Sequence, residues 1–213
     1  MARHKTPTRD IHNTGLDRVI GVFPSRKNGA GIPWESQIED DGLVFLENCR
    51  KVLSYNCQPE QVSIPLDNGE SFLYTPDAVA QMAHGRRRYI EFKPKNKLKE
   101  PEIKRRLEAA AAFFRRRGDE FVVLTDVFLR QGQQIHNLRL LYRRYGDWQV
   151  PDHLADRIFS LFPTPQPRRL GDVLVDCVRL GYPKQAVYAL LFRGALQFDR
   201  ISTQLRMRTL IWR

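Results

Sequence analysis

Three side chains in this chain of 213 residues have the types and spacing for cutting a phosphodiester: Asp77, Glu91 and Lys93. Glu91 and Lys93 are two apart, so on a strand they share a face, while Ile90 and Phe92 point to the other. An antiparallel partner strand brings Asp77 beside Glu91. Two carboxylates held close repel each other, and a cation between them relieves the repulsion. Carboxylate and water oxygens suit Mg²⁺, with Mn²⁺ as the near alternative. An ammonium beside such a pair can orient a water or balance charge on a phosphate in flight. The same residues also suit an edge hairpin whose charges form a solvated face with cross-strand ion pairs.

The elements that must position them are legible on either side. Phe72–Lys93 reads as a β-hairpin, two apolar runs flanking a basic turn with Gly85. Ahead of it, Asn68-Gly69 marks a tight turn that pairs Val62–Pro65 with Phe72–Tyr74. Gln58-Pro59 and Gln61–Ile64 are strand-like pieces. Trp34–Lys51 reads as a helix with Trp34, Ile38, Leu43, Phe45 and Leu46 as a rough apolar stripe, which Gly42 weakens. Glu35, Glu39, Asp40 and Asp41 load its first half with acid, which suits the helix dipole. Glu39 can project toward the hairpin as a third carboxylate; Glu35, Asp40 and Asp41 read as helix-start acids.

Beyond Lys93 the chain turns basic: Lys95, Lys97, Lys99, Lys104, Arg105 and Arg106. A helix over about Glu102–Arg117 sets Ile103, Leu107, Ala110, Ala111 and Phe114 on one face and Arg105, Arg106, Arg115, Arg116 and Arg117 on the other, with Gly118 as its stop. Glu120–Thr125 then reads as a buried strand. Strand, helix, strand argues a βαβ unit with parallel pairing. Lys95, Lys97, Lys99, Arg105, Arg106 and Arg115 would lie where a phosphate backbone needs neutralising.

Composition narrows the class. The net charge of +11 and the pI near 9.9 point to nucleic acid or another polyanion as partner. No stretch is long and apolar enough to cross a membrane, and Met1–Asp10 lacks the apolar core of a secretory signal. Cys49, Cys57 and Cys177 show no disulfide or metal framework and fit reduced thiols; His4, His12, His84, His136 and His153 have no ligand spacing. A cytoplasmic setting without membrane contact is expected.

The ends differ from the middle. Residues 1–33 are basic, broken by Gly and Pro, and read as an arm that docks on something, with Ser25–Asn28 facing phosphate. Asn137–Tyr145 reads as a helix and Gly146–Pro151 as a linker. After it come helices over Pro151–Phe162, Leu170–Leu180 and Pro183–Phe192, then strands over Ala195–Asp199 and Arg206–Trp212. Helices followed by a hairpin suggest a small winged-helix domain. Its third helix offers only Lys184, Gln185, Tyr188 and Arg193 for base readout, which favours partner docking. Three segments result: a basic arm 1–33, a nuclease domain 34–148 and a winged-helix-like domain 149–213. The expected class is α/β, a mixed sheet flanked by helices with a small winged helix after it.

Four motifs in this order, Ser36-Gln37-Ile38-Glu39, Gln58-Pro59, Tyr74-Thr75-Pro76-Asp77 and Glu91-Phe92-Lys93-Pro94, resemble those of the TnsA endonuclease family of heteromeric transposases. Those are PD-(D/E)xK nucleases of restriction-endonuclease-like fold. The resemblance covers about Trp34–Asp126 and extends more loosely to the C-terminal domain. It implies that Glu39 is the helix-borne catalytic acid, that Asp77 binds the metal and that Lys93 is the catalytic lysine. The position of Glu91 can be Gln in that family, so an acid here fits the wider nuclease pattern. Glu39, Asp77, Glu91 and the Phe92 carbonyl would hold one or two Mg²⁺ or Mn²⁺ ions, with Gln58 orienting the site. Such a protein nicks the 5′ ends of a mobile element in double-stranded DNA, while a partner transposase works the 3′ ends and an AAA+ regulator docks on the C-terminal domain. Repair, resolvase or restriction nucleases share the fold. A non-catalytic DNA-binding adaptor is the alternative from another class.

Overall fold

A computed structural model describes residues 21–66, 69–145, 148–163 and 166–213. The chain divides into two compact units. The first runs to Glu47 and resumes over Lys51–Leu129; the second takes Asn48–Arg50 and Arg130–Arg213. The expected boundary at 148/149 therefore falls earlier, and the helix of residues 134–145 belongs with the second unit.

The centre of the first unit is a four-stranded mixed sheet in the order β3 (Val52–Cys57), β6 (Ala78–Met82), β7 (Arg87–Phe92), β8 (Glu120–Leu124). β3 and β7 flank β6 antiparallel, with Cys57 opposite Ala78 and Ala78 opposite Ile90. β7 and β8 are parallel, with Glu91 opposite Val123. The crossover between them carries helix α2 (Pro101–Arg116), ended by Gly118 at φ 78°. A parallel pair requires such a crossover, and α2 supplies it by burying Leu107, Ala110 and Phe114. The Phe114 ring stacks on Tyr89 of β7 at 3.9 Å between centroids and on Phe121 of β8 at 5.8 Å. β4 (Val62–Pro65) and β5 (Ser71–Tyr74) pair in the register expected from Asn68-Gly69, Ile64 opposite Phe72.

The helix expected over Trp34–Lys51 is shorter, α1 over Gln37–Asn48. Trp34 instead ends β2 (Ala30–Trp34), which pairs with β1 (Gly21–Ser25). This corrects the expectation of an arm over residues 21–33; residues 1–20 lie outside the described residues. Pro24 and Pro33 hid the hairpin from a sequence reading, but proline is tolerated in a two-stranded edge. Buried Glu47 locks the turn. It accepts from the Ser25 hydroxyl at 3.0 Å, the amides of Arg26 and Lys27 at 3.0 and 2.9 Å and the Tyr55 hydroxyl at 2.9 Å. Lys27 Nζ donates to the carbonyls of Leu46 and Val52.

The second unit holds α4 (Gln134–Tyr145), α5 (Asp152–Phe159), β9 (Arg168–Arg169), α6 (Leu170–Arg179), α7 (Lys184–Phe192) and β10 (Leu210–Ile211). Its core buries Leu138, Leu141, Ile158, Val173, Leu190 and Leu196. The two strands expected over Ala195–Asp199 and Arg206–Trp212 are cut down to one bridge, Gln197 with Trp212, and to β10, whose partner is β9. Local turns explain this. Asp199 Oδ1 accepts the amides of Ile201 and Ser202, and Thr209 Oγ1 accepts that of Arg206, so these backbone groups are spent within the loop. No helix among the described residues is long and apolar enough to cross a membrane.

Candidate active site

Asp77 stands just before β6, in the position that faces Glu91 across the β6–β7 register. The edge-hairpin alternative fails on topology: β7 lies between β6 and β8, and Glu91 is 5% exposed. Asp77 Oδ2 accepts the Phe92 amide at 2.7 Å. Glu91 Oε1 lies 2.7 Å from Lys93 Nζ, and Oε2 accepts the Tyr74 hydroxyl at 2.6 Å. One buried carboxylate, one half-buried carboxylate and a half-buried ammonium thus form one cluster at the strand ends.

Electrostatics follow from the burial. Desolvation first, then the Glu91 charge, holds the Asp77 carboxyl well above the ordinary range, with Glu39 adding to the rise and Phe92 N–H and Lys93 opposing it. Burial works against the Lys93 ammonium, but the charge and hydrogen bond of Glu91 together with the charges of Asp77 and Glu39 more than offset it, and the Lys93 pKa ends above the ordinary lysine value. Desolvation, then Glu91, pushes the Tyr74 phenol up. Such an excess of buried negative charge is what a bound cation relieves.

Glu39 shares this field but its side chain is engaged at the start of α1. Its Oε1 accepts the Ser36 hydroxyl at 2.7 Å and its Oε2 the Glu35 amide at 2.9 Å, while Ser36 Oγ accepts the Glu39 amide. Ser36 and Glu39 stand at the spacing of a capping box, and Ser36 Oγ satisfies the Glu39 amide, one of the helix's first donors. Among the described residues no three His, Cys, Asp or Glu side chains converge to hold a metal ion. The donor chemistry nonetheless fits a hard divalent cation: the acids are oxygen donors, and the Asp77–Glu91 repulsion supplies the charge.

Gln58 is the non-glycine residue held at positive φ, 46°, among the described residues. Its amide donates to the Asp77 carbonyl at 2.9 Å, and its side chain reaches Glu35 Oε1 at 3.4 Å. A strained residue bonded to Asp77 is backbone strain kept at a site. Gln58, Gln61, Tyr74, Asp77 and Arg106 line a cavity of about 540 Å³.

The basic candidates divide. Lys95, Lys97 and Lys99 lie on a short 3₁₀ turn leaving the site (Lys95–Lys99). Lys97 pairs with Glu100 at 2.8 Å and Arg105 with Glu102 at 2.9 Å, so both carry an acid beside them. Arg106 stacks over the Phe72 ring at 4.4 Å and reaches the site cavity. Arg115 is exposed on α2.

Sequence reasoning assigned no role to Tyr74 or Cys57. Tyr74 could have been found from its place three residues before Asp77, at the end of a strand. Cys57 gave no signal. Burial, then the charges of Glu39 and Asp77, pushes its thiol up, which sets it in the field of both carboxylates.

Residues 49–126 match the family model for the TnsA-like endonuclease N-terminal domain. No curated protein matches the chain.

Proposed function

Taking residues 49–126 as the TnsA-like endonuclease domain they match, we propose that this chain is the endonuclease subunit of a heteromeric transposase, nicking the 5′ ends of a mobile element by metal-dependent phosphodiester hydrolysis. The observation that carries the reading is the cluster of buried Glu91 with half-buried Asp77 and Lys93, Glu91 lying 2.7 Å from the lysine. Nucleases of this kind generally use divalent metal ions. Such an ion would be held by Asp77, Glu91 and the Phe92 carbonyl, joined by Glu39 once it leaves its cap. It would supply Lewis acidity toward the phosphate and a more acidic water.

The chain's own residues do the rest. Phe92 N–H fixes the Asp77 carboxylate. Tyr74 and Lys93 each hold one oxygen of Glu91, so the ammonium is aimed before substrate arrives. Lys93 then balances charge developing on the phosphate. Gln58 fixes the Asp77 backbone. Lys95, Lys99, Arg106 and Arg115, and Lys97 and Arg105 once released from their acids, would follow the DNA backbone. The second unit, read as a winged-helix-like module, would dock the partner transposase and an AAA+ regulator.

The resting bonds of Glu39 favour a second reading, a non-catalytic DNA-binding adaptor. Plasmid nicking separates the two. With the partner transposase and Mg²⁺ present, the wild-type chain should leave 5′ nicks at the element ends. Asp77→Ala and Lys93→Ala should each slow nicking on the order of 10²–10³-fold. Wild-type rates in both variants would leave the adaptor.

A further inference from the structure

The cavity beside Asp77 has walls that the metal cluster does not use. Besides Gln58, Tyr74 and Asp77 it is lined by Gln61, Leu73, Thr75 and Arg106. Its volume of about 540 Å³ falls among pockets that enclose one small ligand, about 300–1,000 Å³. One nucleotide enters such a space; a double helix does not. A groove of DNA is read by an element that projects into it, so a concave wall next to the cutting acid has another use.

The wall comes from separate elements. Gln61 stands just before β4, Leu73 lies on β5, Thr75 follows it and Arg106 is on α2. Arg106 is half-buried. Its guanidinium lies over the Phe72 ring at 4.4 Å, and its hydrogen bond runs to the Leu73 carbonyl at 3.4 Å. No acid among the described residues pairs with it. A guanidinium carries five N–H donors, so most of this fork is left for an anion. Its charge is felt at the Tyr74 phenol, which in turn binds Glu91. Along β5 the side chains alternate. Phe72 and Tyr74 pack against the core around Phe114, and Leu73 turns the other way, 63% exposed. Gln61 is exposed and its amide can both donate and accept; Thr75 adds a hydroxyl. A nucleotide is held by this set: a cation for its phosphate, an apolar surface for the face of its base and an amide for the base edge.

We propose that this cavity receives the nucleotide next to the scissile phosphate, swung out of the base stack, with Arg106 on its phosphate, Leu73 against its base and Gln61 at the base edge. The inference rests on the reading of Asp77 as the metal-binding acid at the scissile phosphate, and it adds a substrate class. Extruding a base costs most in a fully paired duplex and least where the base is mismatched or unpaired. The site therefore favours DNA whose pairing is already weakened at the cut.

The test is binding of the full chain to two short duplexes that differ in one central mismatch, with 2-aminopurine as the mismatched base. EDTA is present, so that no metal-dependent step enters. The mismatched duplex should bind on the order of tenfold tighter than the paired one, and 2-aminopurine fluorescence should rise as the base leaves the stack. Leu73→Ala and Gln61→Ala should each bring the preference toward unity and blunt the fluorescence rise, with thermal melting as in the wild type. Leu53→Ala, an exposed leucine of β3 outside the cavity, should keep both signals. Arg106→Ala should weaken binding to both duplexes and lower the slope of log K against log salt by about 0.9, and Arg106→Lys should restore the slope. Equal affinity of the wild type for the two duplexes overturns the proposal, as does a preference that survives in the Leu73→Ala/Gln61→Ala double variant. Loss of the preference beside intact Asp77-dependent nicking removes the pocket alone. A preference without Asp77-dependent nicking removes the nuclease reading and keeps the pocket as a nucleotide site.

Discussion

The backbone amide of Phe92 donates to the carboxylate of Asp77 at 2.7 Å. The strand that carries Glu91 therefore also holds, through its next residue, the acid that Glu91 repels. The fold fixes a like-charge pair, a cost a stable core would avoid and a metal site can use.

That pair makes stability depend on pH in a definite direction. Burial and Glu91 raise the Asp77 pKa above 3.8 in the folded chain. Between 3.8 and the raised value the folded chain keeps a proton that the unfolded chain has lost, so stability falls as pH rises through that interval. Asp77→Asn removes the fall and keeps an acceptor for Phe92. At pH 7 the variant should melt higher than wild type, on the order of a few degrees, with the gap narrowing as pH approaches the ordinary aspartate value. Melting curves at stepped pH check this; a variant melting lower at pH 7 contradicts it.

Tyr74 holds one oxygen of Glu91 at 2.6 Å while its ring packs near Phe114 and Phe121. Tyr74→Phe keeps the ring and leaves a buried carboxylate oxygen short of a donor. Denaturant unfolding should show a loss of about 1–3 kcal/mol. Nicking should slow more than DNA binding weakens, because Glu91 is no longer held for Lys93.

Gly42 lies on α1 where an added Cβ would sit 2.0 Å from the Phe92 ring. Alanine is the better helix former by about 1 kcal/mol, yet Gly42→Ala should destabilise the chain by about 1–3 kcal/mol through overpacking. Because Phe92 also anchors Asp77, the variant should lose nicking as well as stability. Unfolding midpoints and nicking rates measured together test both halves.

The part of the site carried by neighbouring strands was legible in the sequence. Asn68-Gly69 set the β4–β5 register, and the i, i+2 rule with Gly85 placed Asp77 opposite Glu91. The α2 crossover followed from its apolar face and Gly118. What stayed hidden depends on contacts between distant segments. Nothing local shows that Gly42 makes room for Phe92, or that Glu47 ties the β1–β2 turn to α1. Gly42 read as a flaw in a helix when it is a close approach. At the other end, β-rich residues over 206–212 suggested a strand, but Thr209 turns that backbone on itself by taking the Arg206 amide. The unit boundary was misplaced for a similar reason: α4 looks transitional alone, and its buried Asn137 binds a loop over 60 residues away in the chain.

The most direct test of the central claim is calorimetric titration of Mn²⁺ into the wild-type chain and into Asp77→Ala, at low salt with a short duplex present. The account predicts saturable binding to the wild type that is lost in the variant, because Asp77 and Glu91 together supply the charge that holds the ion. Equal binding to both proteins, or none to either, would contradict a metal centre at Asp77.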